Sequence, residues 1–351
     1  MKDDSLKKQK TIYFLIGNGF SINIVKKIGK DTEIDLTNLF SMGDKVFWPD
    51  NDKECFLSKK HCPNLWELGA KTTATKEEST RLIGNIITSM NAHSLYLDDG
   101  KRIKAVKDTS YYKAYCQLVS YLKNLFIYYN TRITDDDFKS LLDKGKKYHF
   151  VSFVQSQLKK GNKVRIITYN YDVLLERMLT YSKIPYKMAG FDSIENDDPL
   201  VIFKPHGSIS FETKAKRMPG QSYNNMRDPF DGIKTSLTDM ALNIDIKCDN
   251  SIVNPLIPPA GDANRMTDGW VKELNNEIEK CIDNAGDDDE LIIYGISYDH
   301  VDRNELDKIV TMLPYCINVQ YINPYPSDTF EMVLASIFEN YSHYKDFYWE
   351  E

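Results

Sequence analysis

The chain has 351 residues, enough for one large domain or two modest ones with a sizeable core. Hydrophobic residues make up 42% and charged residues 27%, the balance of an ordinary soluble globular protein. A formal net charge of -6 gives the whole molecule no electrostatic grip on nucleic acid, and no stretch approaches the ~18 apolar residues of a membrane span.

The N-terminal MKDDSLKKQK is polar and lacks the apolar core of a signal peptide, so a cytoplasmic protein is expected. Residues 10–16 (KTIYFLI) read as a first buried strand, broken by Gly17-Asn18-Gly19, with a helix from Phe20. Residues 44–63 read as irregular. Cys55 and Cys62 flank His61, but no second ligand pair stands at finger spacing; no metal is expected. The six cysteines form no CxxC pair and read as free thiols. Helical patterns follow at 76–93 and 109–130. In the second, Tyr112, Tyr115, Cys116, Val119, Leu122, Leu125 and Phe126 recur at helical spacing, a packing stripe. Two more helices are predicted at 135–143 and 149–160, the latter closed by Gly161. Lys144, Lys146, Lys147, Lys159 and Lys160 cluster there as solvated helix ends.

Strand and helix then alternate: strand 164–168, helix 171–182, strand 200–203, a polar insertion over 213–250, and a possible strand at 252–257. Helix 268–284, strand 291–294, helix 301–313, strand 317–322 and helix 327–339 complete the chain. This alternation predicts an α/β, Rossmann-like, mainly parallel sheet with helices on both faces. The first strand and its glycine turn (1–42) would belong with 163–351, and 43–162 would form an inserted helical subdomain.

Most predicted strands end in a polar or glycine-bearing turn: Gly17-Asn18-Gly19-Phe20-Ser21, then Thr168 to Asp172, then Lys204-Pro205-His206-Gly207-Ser208. Gly295-Ile296-Ser297-Tyr298 and Asn323-Pro324 follow. In a parallel sheet these ends lie along one edge, where ligands bind, so the turns converge on a cleft. The first has the chemistry of a dinucleotide site: small residues admit a pyrophosphate, and a helix N-terminus offers unpaired N–H groups. Ile22 stands where GxGxxG has its third glycine, so alone this turn equally reads as a tight strand-to-helix connection.

The set GNGFS, TYNYD, KPHGS, GIS and INP, in this order, resembles the sirtuin-like NAD-binding fold, and most closely the NAD-splitting sirtuin-like proteins of bacterial antiphage defence. The resemblance covers residues 12–21 and 166–330. It implies that Asn170 and His206 are the catalytic amide and imidazole, with Asp172 the acidic residue beside them. It places Gly17, Asn18, Gly19, Phe20 and Ser21 at the phosphate-binding turn and Thr168 at the neighbouring strand end. Gly295 and Ser297 fall on a Gly-x-Ser turn near the dinucleotide, and Asn323 near the adenosine ribose. Two departures matter. The GIPDFR-like stretch of protein deacetylases is replaced by INIVKKIGK, and their four-cysteine zinc module is absent, which leaves water as the acceptor.

The activity so implied is NAD glycohydrolysis, with NAD as substrate and a separate sensor or ATPase partner, or self-assembly into a homo-oligomer, restraining it. Cleavage of the pyridinium from ribose passes through an oxocarbenium-like state. Asn170 would hold a ribose hydroxyl or the attacking water. His206, of a residue type titrating near ~6.5, would take a proton. Asp172 would hold the imidazole or a ribose hydroxyl in place, or simply cap the following helix. His300 is a second histidine near the cleft. The alternatives are a non-catalytic NAD or ADP-ribose sensor module and a sirtuin-type deacylase or ADP-ribosyltransferase.

Overall fold

The computed structural model describes residues 9–94, 106–143, 148–257, 269–298 and 303–347. The chain starts with β1 (Thr11–Ile16) and α1 (Asn18–Lys27), then a small hairpin of β2 (Phe47–Trp48) and β3 (Asn51–Cys55). Among the described residues there follow the helices α2 (Pro63–Glu67), α3 (Lys76–Ser94), α4 (Ser110–Arg132), α5 (Asp135–Leu142) and α6 (His149–Lys159). Next come β4 (Lys163–Thr168), α7 (Leu174–Tyr181), β5 (Lys187–Met188) and β6 (Leu200–Phe203). The insertion carries β7 (Phe211–Thr213), α8 (Pro229–Lys234) and β8 (Met240–Leu242). Last are α9 (Gly269–Ile282), β9 (Glu290–Tyr294), α10 (Arg303–Met312), β10 (Asn318–Ile322), α11 (Asp328–Ile337) and β11 (Asn340–Tyr344).

Seven strands form one parallel sheet in the order β11-β10-β9-β1-β4-β6-β5, an α/β Rossmann-like architecture. Phe14 of β1 sits opposite Ile166 of β4 on one side and Ile292 of β9 on the other. The central strands are buried on both faces, which is why IYFLI and LVIF read as unbroken apolar runs. From β1 the chain builds outward through β4 to β6 and β5, then returns to the other side of β1 with β9, β10 and β11. The strand order therefore reverses between β1 and β9, and a crevice opens at the carboxyl ends of such a pair.

Helix α6 lies directly on this sheet. Phe150 sets its ring edge-on to Phe14 and Phe20, at 5.2 and 5.0 Å. Helix α4 has a different task. Thr109 caps its N-terminus by accepting from the Tyr112 N–H, and every residue of the predicted packing stripe is buried. Several of its polar residues are buried too, and bind surrounding segments: Tyr121 donates to Leu39 O, Tyr129 to Asp35 O, and Asn124 to the Tyr223 hydroxyl.

Several elements differ from expectation. Residues 44–63 contain the β2–β3 hairpin, whose strands are short and half exposed, so no apolar run announces them. Helix α7 starts at Leu174 rather than 171, because Tyr171 and Asp172 are held in the turn before it. No strand forms at 252–257: only isolated bridges occur at Ser251 and Leu256, and Pro255 has no N–H to give a ladder. The final helix ends at Ile337 and is followed by β11, a polar edge strand. Lys144, Lys146, Lys147 and His300 lie outside the described residues.

Candidate functional site

At the carboxyl ends of β1 and β9, two glycine turns are pressed together. Gly17 N–H donates to Tyr294 O at 3.0 Å, and Gly19 N–H to Gly295 O at 2.9 Å. A Cβ on Gly19 would lie 2.6 Å from Gly295 Cα, and Gly295 itself has φ +65°, so both positions demand glycine. The amides expected to be unpaired at this turn are thus used in joining it to its neighbour. Asn18 is exposed on the rim and donates its side-chain amide to Leu36 O at 2.8 Å. Phe20, expected to touch ligand, is fully buried between Phe150 and Tyr294 and supports the turn from below. Aromatic packing there outweighs any outward orientation.

The TYNYD turn is wired to the glycine turn through side chains. Asn170 Nδ2 donates to Gly17 O and to Ser21 Oγ, each at 3.0 Å. Ser21 Oγ in turn donates to Asp172 Oδ2 at 2.7 Å. Asp172 Oδ1 accepts the Leu174 N–H at 3.0 Å, and Thr168 Oγ1 accepts the Asn170 N–H at 3.2 Å. All four side chains are buried. Two acceptors fix which end of the Asn170 amide carries nitrogen, so its NH2 points inward and its Oδ1 away from the pair. Asp172 performs a cap-like role at the start of α7 and also anchors Ser21, while the imidazole of His206 is bonded to Glu305 instead.

His206 occupies the KPHGS turn, 2% exposed. Its Nε2 lies 2.9 Å from Glu305 Oε2 on α10, and its ring meets the edge of Tyr169 with centroids 4.9 Å apart. Its carbonyl accepts the Ile257 N–H at 3.0 Å. Gly207 follows with φ +79°, and a Cβ there would lie 2.1 Å from Pro255 O, so segment 254–257 is clamped over this turn. Beneath it, Lys204 Nζ donates to Asp172 O at 2.5 Å and to Glu176 Oε1 at 2.7 Å, with both side chains fully buried. Burial pushes the Glu176 carboxyl upward, opposed by Lys204. The pair ties the β6 turn to the β4 turn. The structure thus brings Asn170, Asp172, Ser21, Thr168, Gly17, Gly19 and Gly295 into one connected rim. His206 joins it through Tyr169, the neighbour of Asn170.

On the β9–β10 side, Ser297 is exposed. Asn323 donates its amide to Ile296 O and the Tyr321 hydroxyl, each at 3.0 Å, while its Oδ1 accepts from Tyr325 N–H at 3.0 Å. Its side chain therefore shapes the turn that presents Ser297. Glu305, Tyr169, Lys204 and Glu176 were not singled out from sequence. Lys204 sits within KPHGS and Tyr169 within TYNYD, so those motifs carried a signal; Glu305, in the polar RNELDK run, carried none.

A second polar cluster lies between α4 and the insertion. Lys123 Nζ is 3.1 Å from Asp249 Oδ1 and Arg227 Nη2 is 2.6 Å from Oδ2, with Tyr223 donating to the same oxygen at 2.9 Å. Burial alone would raise the Asp249 carboxyl, but Lys123 and Arg227 overcome it and hold it well below the usual carboxylate range. Nearby, a cleft of about 760 Å³ is lined by Lys216, Arg217 and Lys247, but Lys216 and Arg217 already pair with Glu212 and Asp50. Among the thiols, burial pushes Cys62 and Cys116 up to about 12 and Cys281 to about 11, so none of these three is a thiolate nucleophile at neutral pH. Among the described residues no group of three or more His, Cys, Asp or Glu could hold a metal ion, and no helix is long and apolar enough to cross a membrane.

Residues 164–243 match the sequence profile of the SIR2-like domain, a span that runs from β4 through both the TYNYD and KPHGS turns and into the insertion. The match supports a sirtuin-like relationship for that segment. No curated protein matches the chain.

Proposed function

We propose that this chain is an NAD glycohydrolase, converting NAD and water to nicotinamide and ADP-ribose, with Asn170 and His206 as its catalytic residues. The observation that carries the reading is the bonded chain Asn170–Ser21–Asp172, which joins the TYNYD turn to the glycine turn where the strand order reverses. Its residues suit the substrate. With its NH2 engaged internally, Asn170 presents Oδ1 as the acceptor for a ribose hydroxyl or a water. Among the described residues the Asp172 carboxylate accepts from a hydroxyl and a backbone N–H, and a carboxylate so placed would favour positive charge developing at the ribose. His206, held in a clamped turn, accepts the proton released when water adds. Gly17, Asn18, Gly19, Ser21, Thr168, Gly295 and Ser297 line the dinucleotide side, with Asn323 behind Ser297.

The same reading makes the protein the NAD-depleting effector of an antiphage defence system. It would be cytoplasmic and self-assembling, and restrained by a separate sensor or ATPase. The test is nicotinamide release by purified protein given NAD alone, with no acyl-peptide or other acceptor. Wild type should release nicotinamide and ADP-ribose one for one. Asn170→Ala and His206→Ala should each lose at least ~100-fold in kcat while keeping a native melting transition. Binding of NAD without release, with or without candidate partners, would instead mark a sensor module. Release that requires an added acceptor would mark a transferase or deacylase.

A further inference from the structure

The imidazole of His206 is held from a part of the chain that neither motif contains. Glu305 lies on α10, 99 residues further on, yet its Oε2 is 2.9 Å from His206 Nε2. Both side chains are buried, at 3% and 10% side-chain exposure. A carboxylate can only accept, so the imidazole proton sits on Nε2, and the neutral ring carries its lone pair on Nδ1. We infer that Glu305 is the positioning residue for His206: it selects the Nε2–H tautomer, fixes the ring against Tyr169 and stabilises the imidazolium formed when Nδ1 takes a proton. The role assigned to that proton transfer rests on the NAD glycohydrolase reading; the pairing and tautomer do not.

Two described neighbours of the ring, Tyr169 and Lys204, are placed by contacts of their own. Tyr169 presents a ring edge, and Lys204, on the same turn, points to Glu176 and Asp172 O. A cavity of about 30 Å³, room for about one water, adjoins Glu305, Tyr169 and Pro205, and is also lined by Glu279 and Lys308, which pair with each other. Glu305 is an anionic group bonded directly to the imidazole. It recreates the carboxylate–imidazole geometry that enzymes use to keep a histidine base in one tautomer.

The test compares wild type with Glu305→Gln, Glu305→Asp and Glu305→Leu. Glutamine is isosteric but can donate as well as accept, so it no longer selects one tautomer. Nitrogen NMR of histidine-labelled protein should show His206 as a single Nε2–H tautomer in wild type and a mixture in Glu305→Gln. This readout requires no substrate. In nicotinamide release, Glu305→Gln should lower kcat about tenfold with KM within about twofold, and Glu305→Asp should recover part of the loss. Losing the carboxylate disfavours imidazolium, so the acid limb of the pH–rate profile should move to lower pH in Glu305→Gln. An unchanged His206 tautomer in both Glu305→Gln and Glu305→Leu would overturn the assignment. A changed tautomer in a protein whose wild type never cleaves NAD would retain Glu305 as the partner of His206 and overturn the reading of the reaction.

Discussion

Asp172 and Asp249 are both buried carboxylates, 7% and 1% exposed, yet their surroundings are opposite. Asp172 is bonded by neutral donors, the Ser21 hydroxyl and the Leu174 amide. Asp249 is held between Lys123 and Arg227, with the Tyr223 hydroxyl added. The first lies in the connected turns at the sheet rim; the second has its charge offset inside a sealed contact between α4 and the insertion. A carboxylate neutralised by cations can bind segments together but has little field left for a ligand. One bonded by dipoles is costlier to keep and more useful at a site. The contrast separates a structural acid from a candidate functional one without reference to any relative.

The largest effect should come from the structural cluster. Asp249→Ala leaves Lys123 and Arg227 buried without a counter-charge, which costs ~3–5 kcal/mol by the general behaviour of broken buried pairs. Urea denaturation should show it, while the folded fraction retains nicotinamide release per molecule. A loss under ~1 kcal/mol would erase the distinction drawn above. The same cluster gives a pH signature. The folded-state pKa of Asp249 is depressed, so its stabilisation is complete above the unfolded value near ~3.9 and is lost as pH falls below it toward the folded value. The stability gap between wild type and Asp249→Asn should therefore be full at neutral pH and shrink in acid. A gap that stays constant down to pH ~2 would contradict the depressed carboxyl.

These clusters were not equally readable from sequence, for a physical reason. Apolar strands that end abruptly in polar turns are signals contained within ten residues, so β1, β4, β6, β9 and β10 and the turns after them were legible. Pairings such as Lys123 with Asp249 or His206 with Glu305 span 126 and 99 positions, and nothing local marks either partner. Phe20 shows the reverse failure: its place in a ligand-type motif said nothing of the Phe150 and Tyr294 rings that enclose it. The run 252–257 looked like a strand because it is apolar, but it is apolar in order to be clamped over Gly207.

A middle-sized effect belongs to Ser21, which serves both acceptor and donor in the rim. Ser21→Ala removes the hydroxyl between Asn170 and Asp172 and leaves both with an unmet partner. It should cost ~1–3 kcal/mol of stability and about tenfold in kcat. A stability loss with unchanged kcat would move the whole Asn170–Ser21–Asp172 chain to the structural side of the comparison.

The smallest expected effect is the most discriminating. Ser297 is exposed and makes no side-chain hydrogen bond among the described residues, so Ser297→Ala should alter stability by no more than ~0.5 kcal/mol. Any functional change must then arise from contact with a bound molecule. If the Gly295–Ser297 turn faces the dinucleotide, KM for NAD should rise a few-fold with kcat unchanged, the pattern of binding lost equally from ground and transition states. An unaltered KM would confine the ligand to the β1–β4–β6 side of the crevice. The β9–β10 turns would then be what their hydrogen bonds already make them: a brace that presses Gly295 against Gly19 and keeps the first turn in shape.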